Sequence, residues 1–248
     1  MYTYSSKLKS NKEIRREARE NLSGNWIVAI LVCMLAWVLT EMLTQDPQIK
    51  ERVTGVINNP IHGIFEYWTT RNNGDIQKLG ILISIIIGGP ISFGVSRFFL
   101  NLIRNTNPKV QDVFMGFKYF FETFLLNLLM GIFILLWTLL LIIPGIVVSL
   151  SYAMAYYILI DNPELSAMDA INRSKDMMDG QKGKLFSLYL SFLGWFIFCL
   201  LTLGIGFIWL KPYLQTSLAG FYQDLKDASN DNSEYAGTGE NYKLNSIE

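Results

Sequence analysis

Apolar residues come in blocks along this chain of 248 residues, with no sustained alternation of apolar and polar positions. The blocks run from Trp26 to Leu43, Gly80 to Ile103, Phe124 to Ile160 and Leu185 to Tyr222, with short charged segments between them. The third block is uncharged. As one helix it would be about 55 Å long, against a hydrocarbon core of about 30 Å. Fitting it in one crossing would take a tilt of about 57°, outside the roughly 0–40° that helices adopt. It must therefore fold back. Pro144 lacks a backbone donor and Gly145 relaxes the steric limit, so the pair places the turn between spans 124–143 and 145–160. In the fourth block the break is Thr202-Leu-Gly204-Ile-Gly206, giving spans 185–201 and 207–222. The second block has the length of a single crossing, with Pro90 as a kink. With span 25–43, the pattern predicts an all-α polytopic bundle of six transmembrane helices.

Periodicity of 3.6 appears in the segments between blocks. In SNKEIRREARENL, Ser10 and Glu13 form a capping box, and Ile14, Ala18 and Leu22 share a face. In NPKVQDVFMGFKYFF, the shared face is Val110, Val113, Phe114, Phe117 and Phe121. In LSAMDAINRSKDMMDG, Ser166 and Asp169 offer the cap, while Met168, Ile171 and Met178 line one side. Each is expected to be a cytosolic amphipathic helix, basic residues suiting an anionic inner leaflet.

Two of these segments match in register. Ala18, Leu22, Gly24 and Trp26 correspond to Ser174, Met178, Gly180 and Lys182. The hairpins correspond too: Gly145 to Tyr152 repeats the spacing of Gly206 to Tyr213, and Trp137 and Trp195 precede the two turns. A unit of surface helix, span, turn and span is thus repeated. Its first copy carries an outer insertion, residues 44–79.

Lys and Arg fix the orientation. A cytosolic N-terminus puts the basic run Lys7–Arg19, then Arg104, Lys109, Lys118, Arg173, Lys175, Lys182 and Lys184, inside, against Lys50, Arg52, Arg71 and Lys78 outside. The predicted organisation is an N-terminal cytosolic helix over 1–24, a transmembrane domain over 25–223, and a disordered cytosolic tail over 224–248, whose composition is polar and poor in aliphatics. The first block follows basic residues without a small-x-small cleavage site, so it reads as a retained anchor.

Composition narrows the chemistry. The chain is 51% hydrophobic and only 17% charged. Its formal net charge is zero, which gives no basic field for nucleic acid. Cys33 and Cys199 lie in apolar runs without metal or disulfide spacing, and the single histidine, His62, has no ligand neighbour, so no metal or other cofactor is expected.

The segments KEIRREARENLSGNW, LLWTLLLIIPGIVVSLSYAMAYYILIDNPELSAMDAINRSKDMMDGQKGKLFSLYLSFLGW, GFIWLKPY and AGFYQDL resemble the bacterial membrane family called "domain of unknown function 975". The likeness covers most of Glu13 to Leu225, leaving out the insertion and the tail. More loosely, the chain is similar to the membrane domains fused to some glycerophosphodiester phosphodiesterases, without their catalytic domain. The resemblance implies a multi-pass protein of the bacterial cell membrane and supplies no catalytic residue.

No paired acids, activated nucleophile or phosphate loop is visible, so an enzyme is not expected. The intramembrane polar residues are Glu41, Arg97, Asn101, Asp161 and Lys211. Glu41 and Lys211 fall towards the outer face and could pair, while Arg97 could meet Asp161 near the inner end. The alternative for the charged groups is snorkelling to the nearer interface. Ser84, Gly88, Ser92 and Ser96 recur every four residues and form a stripe over which another helix could approach closely. These features favour a non-enzymatic protein that binds lipid or a membrane partner, such as another membrane protein or a second copy of itself. The alternative is a small permease or lipid transporter, which Pro90 and the intramembrane charges would serve.

Overall fold

A computed structural model describes residues 8–42, 75–202 and 204–244, which are helices and short connections with no strand among the described residues. The outer insertion as far as residue 74, with His62, lies outside them. The described helices are α1 (Asn11–Leu22), α2 (Trp26–Trp37, extended by a π-helical turn Val38–Met42), α3 (Asp75–Ile103), a 3₁₀ helix (Val110–Tyr119), α4 (Phe120–Leu140), α5 (Ile142–Tyr152), α6 (Ala155–Asp161), α7 (Ala167–Met177), α8 (Lys182–Ser191), α9 (Leu193–Leu201) and α10 (Phe207–Leu244).

Among the described residues, four segments are long and apolar enough to cross a membrane: Ile83–Ile103, Val110–Leu140, Ile142–Asp161 and Lys182–Leu201. Asn11–Leu22 and Trp26–Thr40 reach that length only together, and they meet at 98°. The hairpin tips are apolar and uncovered: Leu139, Ile143 and Leu201 are 83%, 76% and 78% exposed. A soluble monomer rarely leaves so large an apolar surface bare. The packed core lies at the other end, where Ile14 and Leu22 of α1, Phe93, Phe98 and Phe99 of α3, and Phe221 and Tyr222 of α10 are buried.

The long apolar block does fold back, but at a different residue. Leu141 alone is extended (φ −158°, ψ 140°), and α5 starts at Ile142. Pro144 therefore sits in the first turn of α5, where its missing N–H costs no hydrogen bond. Gly145 serves packing, since a Cβ there would collide with the Thr138 side chain. The second hairpin uses the same device. Gly204 turns the chain with φ +88°, and a Cβ on Gly206 would fall 2.6 Å from Cys199 Sγ. In both, a glycine in or just before the returning helix lies against the residue seven positions earlier.

The repeat is equally plain at the surface helices. Ser10 and Ser166 both cap with φ −68° and ψ 156°, each hydroxyl accepting from the amide three residues on. Gly24 and Gly180 end the two units with positive φ. Ile14, Ala18 and Leu22 are buried, as are the equivalent Ala170, Ser174 and Met178; Met168, predicted to line that face, is exposed.

The segment after Pro108 departs from expectation in period. It is a 3₁₀ helix, and the residues turned inward are three apart: Val113 and Gly116 are buried, and Tyr119 meets the Phe93 ring at 6.0 Å. Val113 is buried, whereas Phe114, Phe117 and Phe121, predicted to share its face, are exposed. The cause is the crossing with α3. A Cβ on Gly94 would collide with the Val113 backbone, and one on Gly116 with the Pro90 carbonyl. The slim 3₁₀ winding brings the two backbones together.

Candidate functional site

Two polar groupings stand out within the apolar bundle. The first is a cavity of about 290 Å³ between α2, α3, α6 and α10. Its polar lining is Thr40, Ser92, Ser96, Tyr156, Tyr157, Lys211 and Gln215. Lys211 and Gln215 are four apart on α10 and so share a helix face. Tyr156 donates to Asn127 Oδ1 at 3.0 Å, which fixes that ring across α4. Lys211 is the one charged side chain among the described lining residues, and no ion-pair partner for it occurs among the described residues.

A second hollow, about 340 Å³, adjoins the first. Ile30, Met34 and Trp37 of α2 and Phe207 and Ile208 of α10 line it, and it shares Cys33 and Lys211 with the polar cavity. Met34, Trp37 and Ile208 are exposed, so this second space is a groove open to the outside of the bundle. A cavity with polar groups on its wall and an apolar groove thus adjoin, with Lys211 and Cys33 lining both.

The second polar grouping gathers at the end of α6. Asp161, at the end of α6, accepts from Arg104 Nη1 at 2.6 Å and Nη2 at 2.8 Å, from Lys226 Nζ at 2.6 Å and from the Tyr222 hydroxyl at 2.8 Å. The two-pronged guanidinium contact fixes geometry as well as charge. Gln223 Oε1 accepts from Arg104 Nε at 2.8 Å. Tyr222 also stacks on Tyr157 at 5.2 Å, so the floor of the cavity rests on this cluster. Beside it, Asp224 accepts the Lys9 amide at 2.9 Å and faces Lys184 at 3.9 Å. Burial pushes its carboxyl above the usual range, against those two contacts.

The polar residues marked in the sequence are therefore scattered. Arg97 does not reach Asp161; its Nε is buried without a partner. Asn101 secures the following loop, donating to Asp112 at 3.1 Å. Glu41 falls in the π-helical turn, with its side chain outside the described residues, so its pairing with Lys211 is untested. Of the small-residue stripe, Ser92 and Ser96 line the cavity and Gly88 faces Asn127. Pro90 stays inside a continuous helix and lends its carbonyl to the Gly116 crossing. Arg104, Lys226 and Tyr222 carry no sequence signal as partners of Asp161, because they lie 57 to 65 positions from it. The tail boundary also moves: α10 continues past residue 224, with Asp224, Leu225 and Ala228 buried.

The family described as "Protein of unknown function (DUF975)" matches residues 1–147 and 139–229. No curated protein and no solved structure matches the chain.

Proposed function

We propose, for a chain that belongs to the DUF975 family of proteins of unknown function, a non-catalytic role as a lipid-binding protein of the cell membrane. The observation that carries this reading is the junction of polar cavity and apolar groove at Cys33 and Lys211. A head group needs hydrogen-bonding partners out of water, and an acyl chain needs apolar walls; here the two environments adjoin. Filling the cavity tests it. Purified wild-type protein is expected to retain phospholipid through detergent washing, and Ser92→Phe to lose most of it with an unchanged melting midpoint. Equal retention by the two would sink the reading.

In this account the chain crosses six times, with both termini in the cytosol. The added spans are 25–43, to which α2 belongs, and 207–222, the first part of α10. The 98° bend supports α1 lying across the inner surface while α2 crosses. A Leu141→Cys variant is expected to react with an impermeant maleimide from outside the cell, since Leu141 is 63% exposed and Cys33 and Cys199 are buried. Lys175→Cys should react only after the membrane is opened. The reverse pattern would invert the topology.

One observation favours the small-permease alternative. Two helices with a proline in their interior, α3 with Pro90 and α10 with Pro212, border the cavity. A solute flux in proteoliposomes that Ser92→Phe abolishes would replace lipid binding by transport.

A further inference from the structure

We infer that the bound lipid is anionic, its phosphate or carboxylate head seated against the Lys211 ammonium and one acyl chain lying in the groove between α2 and α10. This rests on the lipid-binding reading and adds a charge and a register to it.

The argument is one of complementarity. At mid-helix in a membrane a lysine costs about 2.5–3.5 kcal/mol on the insertion scale; Lys211, a turn into span 207–222, costs less and still gains from a counter-charge. Among the described residues no carboxylate forms an ion pair with it, and two that lie elsewhere in the bundle are engaged by other groups. Asp161 is held by Arg104, Lys226 and Tyr222, and Asp112 by Asn101 and the Lys109 amide. The cavity wall that Lys211 shares carries neutral hydrogen-bonding groups, Ser92, Ser96 and Gln215, while the Thr40 hydroxyl donates to the Ala36 carbonyl at 2.8 Å. Hydroxyls and an amide can donate to head-group oxygens but cannot neutralise a cation. An anion supplies the charge that the described lining lacks, and a charge-assisted contact there is stronger than in water. A free anion would leave the groove empty. The groove begins at the same lysine and is walled by Ile30, Met34, Trp37 and Phe207, so the ligand has a charged end and a long apolar one.

Full-length protein would be reconstituted in phosphatidylcholine vesicles doped with phosphatidic acid or with uncharged diacylglycerol, re-solubilised, and its retained lipids counted by native mass spectrometry. Phosphatidic acid is expected to be retained over phosphatidylcholine by roughly tenfold, about 1.4 kcal/mol. Lys211→Arg should keep that preference. Lys211→Gln should abolish it while still retaining lipid without regard to charge. Wild-type protein that holds lipid with no charge preference, or a preference that survives Lys211→Gln, overturns the inference and leaves the lipid-binding reading standing. Failure of every lipid to be retained overturns that reading itself. Displacement of phosphatidic acid by soluble glycerol phosphate at similar concentration would remove the acyl chain from the argument and overturn the register proposed here.

Discussion

Asp161→Ala is expected to lower stability by about 3–5 kcal/mol, because it strands two cations that the carboxylate now neutralises in a partly buried place. The side chain is only 9% exposed, and its two oxygens take four hydrogen bonds from Arg104, Lys226 and Tyr222. Those donors come from the end of α3 and from α10, so one residue ties three helices together. Unfolding of the detergent-solubilised protein, followed by tryptophan fluorescence, should show a fall in midpoint on the order of 10 °C. Lys226→Met should cost less, since Arg104 still holds both oxygens. Arg97→Met is the control: its Nε has no partner, so replacement should be neutral or mildly stabilising. If Arg97→Met proved as damaging as Asp161→Ala, the ion cluster would not be what holds these helices together.

The same cluster bears on the cavity above it. Tyr222 is positioned by Asp161 below and presses on Tyr157 above, and Tyr157 is part of the cavity lining. Lipid retention should therefore weaken in Asp161→Ala as the floor loosens, even though Asp161 does not line the chamber.

What the sequence could convey here divides by range. Local devices were legible: the caps at Ser10 and Ser166, the buried stripe Ile14–Ala18–Leu22, and the need for the block from Phe124 to Ile160 to reverse. So was the repeat, since Gly24 and Gly180 stand at matching positions with the same left-handed backbone. Contacts between distant residues were not. Nothing local distinguishes Arg104 from Arg97 as the partner of Asp161; the choice is made by where α3 ends. The turn was misplaced for a related reason. Pro-Gly is a strong turn signal in water, but in this hairpin one extended leucine reverses the chain, and proline and glycine are used by the helix that follows. The period of the segment after Pro108 was misread because its apolar residues fit a 3.6 repeat, while the close backbone approach to α3 imposes a repeat of three.

That crossing yields the other large expected effect. Gly116→Leu should prevent stable assembly of α3 with the 3₁₀ helix, and Gly94→Val should do the same from the opposite side. Already the Cβ of an alanine would meet backbone, the Pro90 carbonyl in one case and Val113 in the other, and a backbone group cannot rotate aside as a side chain can. Overpacking of a core with movable neighbours costs about 1–3 kcal/mol, and the cost rises where nothing can give. Gly89 adds a third such point, its Cβ position colliding with the Thr123 carbonyl. The close-packing face of α3 is thus Gly89, Pro90 and Gly94, rotated from the stripe Ser84, Gly88, Ser92 and Ser96 that the four-residue spacing suggests. The two faces predict different outcomes. Gly94→Ala should lower the melting midpoint and the yield of folded protein, whereas Ser92→Ala should leave both unchanged and alter only what the cavity retains. Gly131→Ala, with open space at its Cβ, should gain about 0.5–1 kcal/mol from helix propensity alone. If Gly94→Ala behaved like Gly131→Ala in a melting experiment, the backbone-to-backbone crossing of α3 and the 3₁₀ helix would be wrong, and with it the placement of the serines around Lys211.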